Sequence, residues 1–315
     1  MKIAVVGLGT IGKVHVRVLQ ELGIPLGAVC DVDENVLKEY PSAEHFTNYT
    51  EMLEEYQPDA VHICTPHYLH APMVLAALKR NIHVLCEKPL CINEEELQEI
   101  LEAEKSSLGK LGVCHQNRYR PENVFVKELL HTCKANCGYA TVVWQRGAEY
   151  YNQAAWRGRK SQEGGGVLIN QALHTLDLLV WYLGEPSVVS ANTANFSLQN
   201  IIEVEDTVQL IASGGADFVF FATNGAKNSF PVFLSLSTEK GLVTILPDKV
   251  LIGSKEIVFD EKHGYYGKWS YGVGHKALID DFYRCLSAGT SFAINGVEAS
   301  KVLRVIFFAY KHSNV

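Results

Sequence analysis

Five runs of consecutive apolar residues constrain the first third of this chain more than anything else in it: KIAVV (2–6), LGAVC (26–30), AVHIC (60–64), IHVLC (82–86) and LGVC (111–114). Unbroken apolar runs, as opposed to alternating ones, are how strands buried on both faces read. Helical patterns over 12–22, 35–39, 49–55, 70–80 and 93–106 lie between them. Asn93 followed by Glu94, Glu95 and Glu96 suits the start of the last helix, because the amide can cap an N–H and the acids complement the helix dipole. The alternation predicts an α/β unit with a doubly wound parallel sheet up to about residue 115.

Beyond that point the pattern changes. A helix is expected over 164–183, followed by alternating runs with hairpin signals. DTVQLIAS and ADFVFFAT turn on Gly214-Gly215, and VFLSLST and LVTIL turn around Gly241. These predict a mostly antiparallel sheet, closed by a helical region from about 272 to 312. The chain therefore divides into residues 1–116, a dinucleotide-binding unit, and 117–315, an α+β unit for substrate binding and oligomerisation. Ligands in such chains usually sit in the cleft between the two.

Composition narrows the function classes. The chain has 315 residues, 47% hydrophobic and 20% charged, and a formal net charge of -7. That charge offers no footprint for nucleic acid or an anionic membrane. MKIAVVG enters a strand at once, without a charged n-region or apolar h-region, and no apolar run approaches a membrane span. A cytoplasmic location is the expectation. Of eight cysteines, Cys30, Cys64, Cys86 and Cys114 end apolar runs, where a thiol packs as a small hydrophobe. Cys133 and Cys137 lack the partners of a zinc pattern, so no metal is expected.

Gly7-Leu8-Gly9-Thr10-Ile11-Gly12 follows the first strand and opens a helix. In that context Gly7 permits the tight turn, Gly9 lets a pyrophosphate approach the backbone, and Gly12 allows close helix–strand packing. Asp31 ends the second strand 19 residues after Gly12, where a carboxylate would bind a ribose diol. The same carboxylate repels a 2′-phosphate, and no Arg follows in CDVDENV, so NAD is favoured over NADP. CEKPL (86–90) ends the fourth apolar run, where open α/β sheets bind ligands, and this places Lys88 beside a nicotinamide; a surface ion pair with Glu87 is the bland alternative.

GGGVLINQALHTLDLL (164–179) carries Asn170, His174 and Asp177 at i, i+4 and i+7, one face of the expected helix. Burying an amide, an imidazole and a carboxylate there is costly unless each finds a partner.

Together GLGTIG, TPHYLH (65–70), CEKPL and the GGG…H..D segment resemble the glucose–fructose oxidoreductase, inositol dehydrogenase and MocA (Gfo/Idh/MocA) family over nearly the whole chain. The resemblance implies a Rossmann domain joined to an α/β domain with a large open sheet, through which members form dimers or tetramers. It implies NAD(P)-dependent hydride transfer at a secondary hydroxyl of a sugar, cyclitol or sugar derivative. It assigns Lys88 to the reacting hydroxyl and His174 to its proton. Many members hold Asp where this chain holds Asn170, and often Asn where it holds His67. An amide binds a hydroxyl but cannot accept its proton. Members acting on nucleotide-linked uronic acids look similar at NQALH and around WRG (156–158).

The expected site follows. Gly7, Gly9, Thr10, Ile11, Gly12, Asp31, Thr65, Pro66, His67, His70, Glu87, Lys88 and Gln116 bind the cofactor. Lys88, Arg118, Tyr151, Trp156, Arg157, Asn170 and His174 bind a sugar-like substrate; aromatic faces pack sugar rings, and a guanidinium suits a carboxylate or phosphate. For these loop residues, pinning the loop is the alternative. A histidine, with a pKa of about 6.5, exchanges protons near neutrality, whereas a lysine at about 10.4 would first need desolvation. Proton transfer therefore falls to His174 and orientation to Lys88. Asp177 either orients His174 or pairs with an arginine. The glycines at 164–166 would allow close approach of substrate or nicotinamide. Two other functions share these motifs: a glycoside hydrolase that recycles bound NAD, and a non-catalytic NAD-binding sensor.

Overall fold

The computed structural model describes residues 1–259 and 273–313. They form two compact units: Met1–Gln116 with 273–300, and 117–259 with 301–313.

The first unit is a six-stranded, wholly parallel sheet in the order β3-β2-β1-β4-β5-β6. Its elements run β1 (Ile3–Val6), α1 (Thr10–Glu21), β2 (Ala28–Cys30), α2 (Glu34–Leu37), β3 (Glu44–Phe46), α3 (Tyr49–Glu51), β4 (Ala60–Ile63), α4 (His70–Leu78), β5 (His83–Cys86), α5 (Glu94–Ser106) and β6 (Leu111–Val113). The five apolar runs are β1, β2, β4, β5 and β6. The sixth strand, β3, escaped them because it is an edge strand whose residues are mostly exposed and leave no apolar run. α3 continues into one π-helical turn, Met52–Tyr56. Asn93 caps α5 as expected, its Oδ1 accepting the Glu96 N–H at 2.8 Å.

In the second unit, α6 (Pro121–Leu129) and β7 (Ala135–Val143) precede α7 (Ala148–Tyr151), α8 (Lys160–Glu163) and α9 (Leu173–Leu183). Seven strands follow: β8 (Val188–Ala194), β9 (Thr207–Ser213), β10 (Asp217–Thr223), β11 (Phe233–Thr238), β12 (Gly241–Leu246), β13 (Lys249–Ile252) and β14 (Lys255–Val258). The eight-stranded sheet has the order β14-β13-β12-β11-β7-β10-β9-β8 and is antiparallel except where β7 meets β10. Both hairpins form where expected: Gly214 and Gly215 adopt φ +87° and +115°, and Gly241 +98°, a region open to glycine but strained for other residues. α9 covers one face of the sheet, and Gly138 in β7 makes room for it, since a Cβ there would lie 2.8 Å from Leu179.

The helix expected over 164–183 starts only at Leu173; residues 164–172 run through turns. The closing helical region is two helices, α10 (Gly274–Ala288) and α11 (Gly296–Lys311), with Gly289 at φ +69° ending the first; residue 272 lies outside the described residues. α10 packs within the first unit. Lys276 reaches Glu21 of α1 at 3.2 Å, and Gly112 in β6 leaves space for Phe282 and Phe292.

Candidate active site

The dinucleotide loop has the form its glycines predict. Gly7 adopts φ +81°, and a Cβ on it would lie 2.7 Å from the Cys64 carbonyl oxygen. A Cβ on Gly12 would lie 1.9 Å from the Gly7 oxygen, so the helix meets the loop at a distance only glycine allows. Gly9 differs: a Cβ there would touch nothing within 4 Å. α1 starts with no side-chain cap and no acid in its first turn, which leaves its leading N–H groups, Thr10 and Ile11 among them, for an external anion. Asp31 Oδ2 accepts the Leu8 N–H at 2.6 Å and Oδ1 the Asp33 N–H at 3.0 Å. An ionised carboxylate offers about four lone-pair directions, so acceptor capacity remains for a ribose diol. These residues fit a dinucleotide.

The remaining cofactor candidates lie after the carboxyl ends of β4, β5 and β6. Thr65 donates to Met73 Sδ at 3.6 Å, and Pro66 precedes the 3-10 turn His67–Leu69, with His67 buried. His70 departs from expectation. Its Nδ1 lies 2.6 Å from the Pro89 oxygen and its Nε2 2.8 Å from the Thr65 oxygen, so both ring nitrogens brace the chain's own loops. Gln116 is buried at the start of the turn Gln116–Tyr119. Lys88 is half-buried and joined to Pro89 by a cis peptide. Glu87 turns inward, 5% exposed; its Oε2 accepts the Lys88 N–H at 3.2 Å and its Oε1 lies 3.1 Å from His15 Nε2. His15, Glu87 and His275 bring donor atoms within 4.8 Å of one another, the group among the described residues with a metal-ligating arrangement. The cysteines are free thiols, and burial raises those of Cys64, Cys86 and Cys114 well above their usual range and that of Cys30 to about 12.

In the second unit, Asn170, His174 and Asp177 do not share one helix. His174, half-buried, stands in the first turn of α9, with Asp177 one turn further; Asn170 precedes the helix. Asp177 accepts two hydrogen bonds from Arg118, and the arginine expected to meet substrate is thereby held in the core. Tyr151, also expected at substrate, packs with Leu198, Ile202 and Val204, its hydroxyl accepting from Asn224 at 3.1 Å. Of the glycines at 164–166, Gly164 ends α8 at φ +86°, and Gly165 and Gly166 make room for protein, not ligand. A Cβ on Gly165 would lie 2.1 Å from the Tyr310 hydroxyl, and one on Gly166 1.8 Å from the Glu205 oxygen. Arg157 donates to the Tyr150 oxygen at 2.9 Å and Gln153 at 3.0 Å, stacks 4.3 Å over the Tyr150 ring, and lies 5.8 Å from Trp156, which is half-buried. With Asn152, Arg159, Gln199 and Glu203 it lines a cavity of about 530 Å³ that neither Asn170 nor His174 borders.

Sequence reasoning missed the residues that hold this segment. Asn170 donates its amide to Glu163, so a carboxylate stands beside the position where the resemblance expects one. The Glu163 carboxyl is pushed up to about 7 by burial, against hydrogen bonds from the Gly158 N–H and Asn170. Gln171 links the Tyr150 hydroxyl, at 3.0 Å, to Asn224, at 2.9 Å. Glu205 accepts from Gly166 at 2.8 Å, Leu168 at 3.0 Å and Tyr310 at 2.9 Å. No spacing rule links residues 163, 170 and 205; the one signal was a carboxylate, Glu163, directly before a glycine run.

A family model described as an oxidoreductase family with an NAD-binding Rossmann fold matches residues 1–115, and the GFO/IDH/MocA C-terminal domain matches 137–243. An inositol 2-dehydrogenase of Rubrobacter xylanophilus is 28% identical over 257 residues, 78% of this chain and 71% of its own length. A D-glucoside 3-dehydrogenase of Escherichia coli is 28% identical over 62% of this chain and 58% of its own. The WlbA dehydrogenase of Bordetella pertussis, solved with NADH and UDP-GlcNAcA, superposes with a TM-score of 0.84 at 26% identity, covering 99% of this chain and 96% of that one. Among the described residues no helix is long and apolar enough to cross a membrane.

Proposed function

Since this chain belongs to the Gfo/Idh/MocA oxidoreductase family, we propose that it is an NAD-dependent dehydrogenase for a secondary hydroxyl of a sugar, cyclitol or sugar derivative. The observation that carries this reading is the bare N-terminus of α1 behind Gly7, Gly9 and Gly12, with Asp31 at the end of β2 and Lys88 after β5. When bound, NAD supplies the hydride acceptor. Lys88 orients the hydroxyl and stabilises charge developing on its oxygen; His174 takes the proton, an imidazole being the side chain that exchanges one near neutrality. Asn170 offers a hydroxyl a hydrogen bond, its amide fixed by Glu163. Arg157 and Trp156 are the further candidates for substrate contact. Asp31 favours NAD over NADP. The face of the eight-stranded sheet bearing exposed Tyr139, Val219 and Ile211, adjacent in register, meets a second copy of the chain.

The deciding experiment follows nicotinamide absorbance with NAD across cyclitols, free sugars, uronic acids and UDP-sugars. NADH formed with one class, lost in Lys88→Ala and His174→Ala, supports the proposal. Hydrolysis of a glycoside by NAD-bound enzyme with no net NADH would replace it with internal recycling of the cofactor. Full turnover by His174→Ala with none by Lys88→Ala would exchange the two roles.

A further inference from the structure

Three buried titratable groups of the first unit with no part in the chemistry above, His15, His62 and Tyr283, touch in series with a fourth, Glu87. His15 on α1 places Nδ1 2.8 Å from Nδ1 of His62 on β4. His62 Nε2 lies 2.8 Å from the hydroxyl of Tyr283 on α10. His15 Nε2 lies 3.1 Å from Glu87 Oε1, and Glu87 Oε2 receives the Lys88 N–H at 3.2 Å. The rings are set for it: His15 stands edge-on to His62 at 5.0 Å, and His62 stacks on Tyr283 at 5.7 Å. None is more than 8% exposed.

The direction of this chain follows from donor and acceptor capacity. An ionised carboxylate can only accept, so His15 must carry its proton on Nε2. A neutral His15 then presents a lone pair at Nδ1, which obliges His62 to donate from Nδ1. His62 therefore accepts at Nε2, and the Tyr283 hydroxyl donates to it. Every member is satisfied in one arrangement only.

We propose that Tyr283, His62 and His15 form a one-way hydrogen-bond relay ending on the Glu87 carboxylate, and that through Glu87 they are positioning residues for the Lys88 backbone. The relay joins the dinucleotide-loop helix, the central strand β4 and α10 to the residue that orients the hydroxyl. Burial pushes both imidazoles down, that of His62 well below its usual range, which keeps them neutral. Burial alone would raise Glu87, but the hydrogen bond from His15 and the nearby His275 prevail and hold it well below the usual carboxylate range. His275 Nε2 stands 3.6 Å from Glu87 Oε1, beyond hydrogen-bond reach, and leaves His15 as the imidazole donor to that oxygen.

The first test is ¹⁵N NMR of the histidine rings in the full-length protein, which needs no substrate. His15 protonated on Nε2 and His62 on Nδ1, both neutral, is the expected result. An unprotonated His15 Nε2, an imidazolium at either site, or one equivalent of transition metal co-purifying on His15, Glu87 and His275 would overturn the relay, because each reverses or breaks it. The second test is kinetic and rests on the proposed dehydrogenase reading. Tyr283→Phe removes a single hydroxyl and Glu87→Gln the charge. Tyr283→Phe should keep the dissociation constant for NAD within about twofold and the KM for substrate unchanged, while kcat falls by up to about tenfold, the worth of roughly one hydrogen bond, and Glu87→Gln should lower kcat at least as far. If Glu87→Gln does not fold, Tyr283→Phe alone decides; unchanged kcat in it removes the positioning role. Failure to find any substrate would count against the dehydrogenase reading and leave the tautomer result standing.

Discussion

The guanidinium of Arg118 grips the Asp177 carboxylate through two hydrogen bonds, Nε to Oδ2 at 2.8 Å and Nη2 to Oδ1 at 2.6 Å, with the two side chains 4% and 1% exposed. Trp181 lies 5.4 Å beneath the guanidinium. A buried pair of this kind contributes little relative to an apolar pair, but breaking it strands a charge at a cost of about 3–5 kcal/mol. Asp177→Ala should lower the unfolding free energy by about that amount in urea titrations, and Asp177→Leu with Arg118→Met should recover most of it. Were Asp177→Ala as stable as the parent and slow only in turnover, Asp177 would instead be an orienter of His174.

Glu163 should make stability depend on pH. Its carboxyl is raised from an ordinary 4.5 to about 7, chiefly by burial, so the folded state holds the proton more tightly than the unfolded state. Below the unfolded value both states are protonated and nothing is lost. As pH rises from about 4.5 to about 7 the unfolded chain releases its proton first, and stability declines. Glu163→Gln cannot titrate; between pH 4 and pH 8 the variant should gain roughly 3 kcal/mol relative to the parent. Thermal unfolding at several pH values reads this directly, and parallel curves would remove the assignment.

Gly9 and Gly12 should separate binding from folding. A Cβ on Gly9 meets nothing within 4 Å, and its φ of -65° suits any residue. Gly9→Ala should therefore melt like the parent yet bind NAD at least about tenfold more weakly, since its methyl blocks a phosphate's approach. Gly12→Ala drives a methyl to 1.9 Å from the Gly7 oxygen and should destabilise the fold itself. Undiminished NAD binding by Gly9→Ala would displace the pyrophosphate from this loop.

Asp31→Asn keeps an acceptor for a backbone N–H but removes the charge. The loss of charge-assisted hydrogen bonds to a ribose diol should weaken NAD binding about tenfold, while NADP, no longer repelled, gains relative to NAD. Titrations with both dinucleotides test it. An unaltered preference would assign cofactor selection to another residue.

Much of the first unit was legible because its signals are local. β1, β2, β4, β5 and β6 are each a run of neighbours, and Gly7, Gly9 and Gly12 act on backbone within one loop. β3 was invisible because an exposed edge strand has no apolar run to show. In the second unit the hairpins were readable from Gly214, Gly215 and Gly241 for the same reason. The helix over 164–183 was misread because the apolar run after Gly164, Gly165 and Gly166 suits a buried helix; what holds residues 164–172 in turns is Glu205, taking the N–H groups of Gly166 and Leu168 from about forty positions away.

The sequence by itself determined the parallel sheet, the dinucleotide loop and the residue types at Asp31, Lys88 and His174, since periodicity and turn chemistry act between near neighbours. Only the tertiary structure decided what the buried polar groups face. Asp177 meets Arg118, Asn170 meets Glu163, Gly165 and Gly166 meet Tyr310 and Glu205, and Glu87 meets His15. A buried donor or acceptor must find a partner somewhere, and its own neighbours in sequence do not say where.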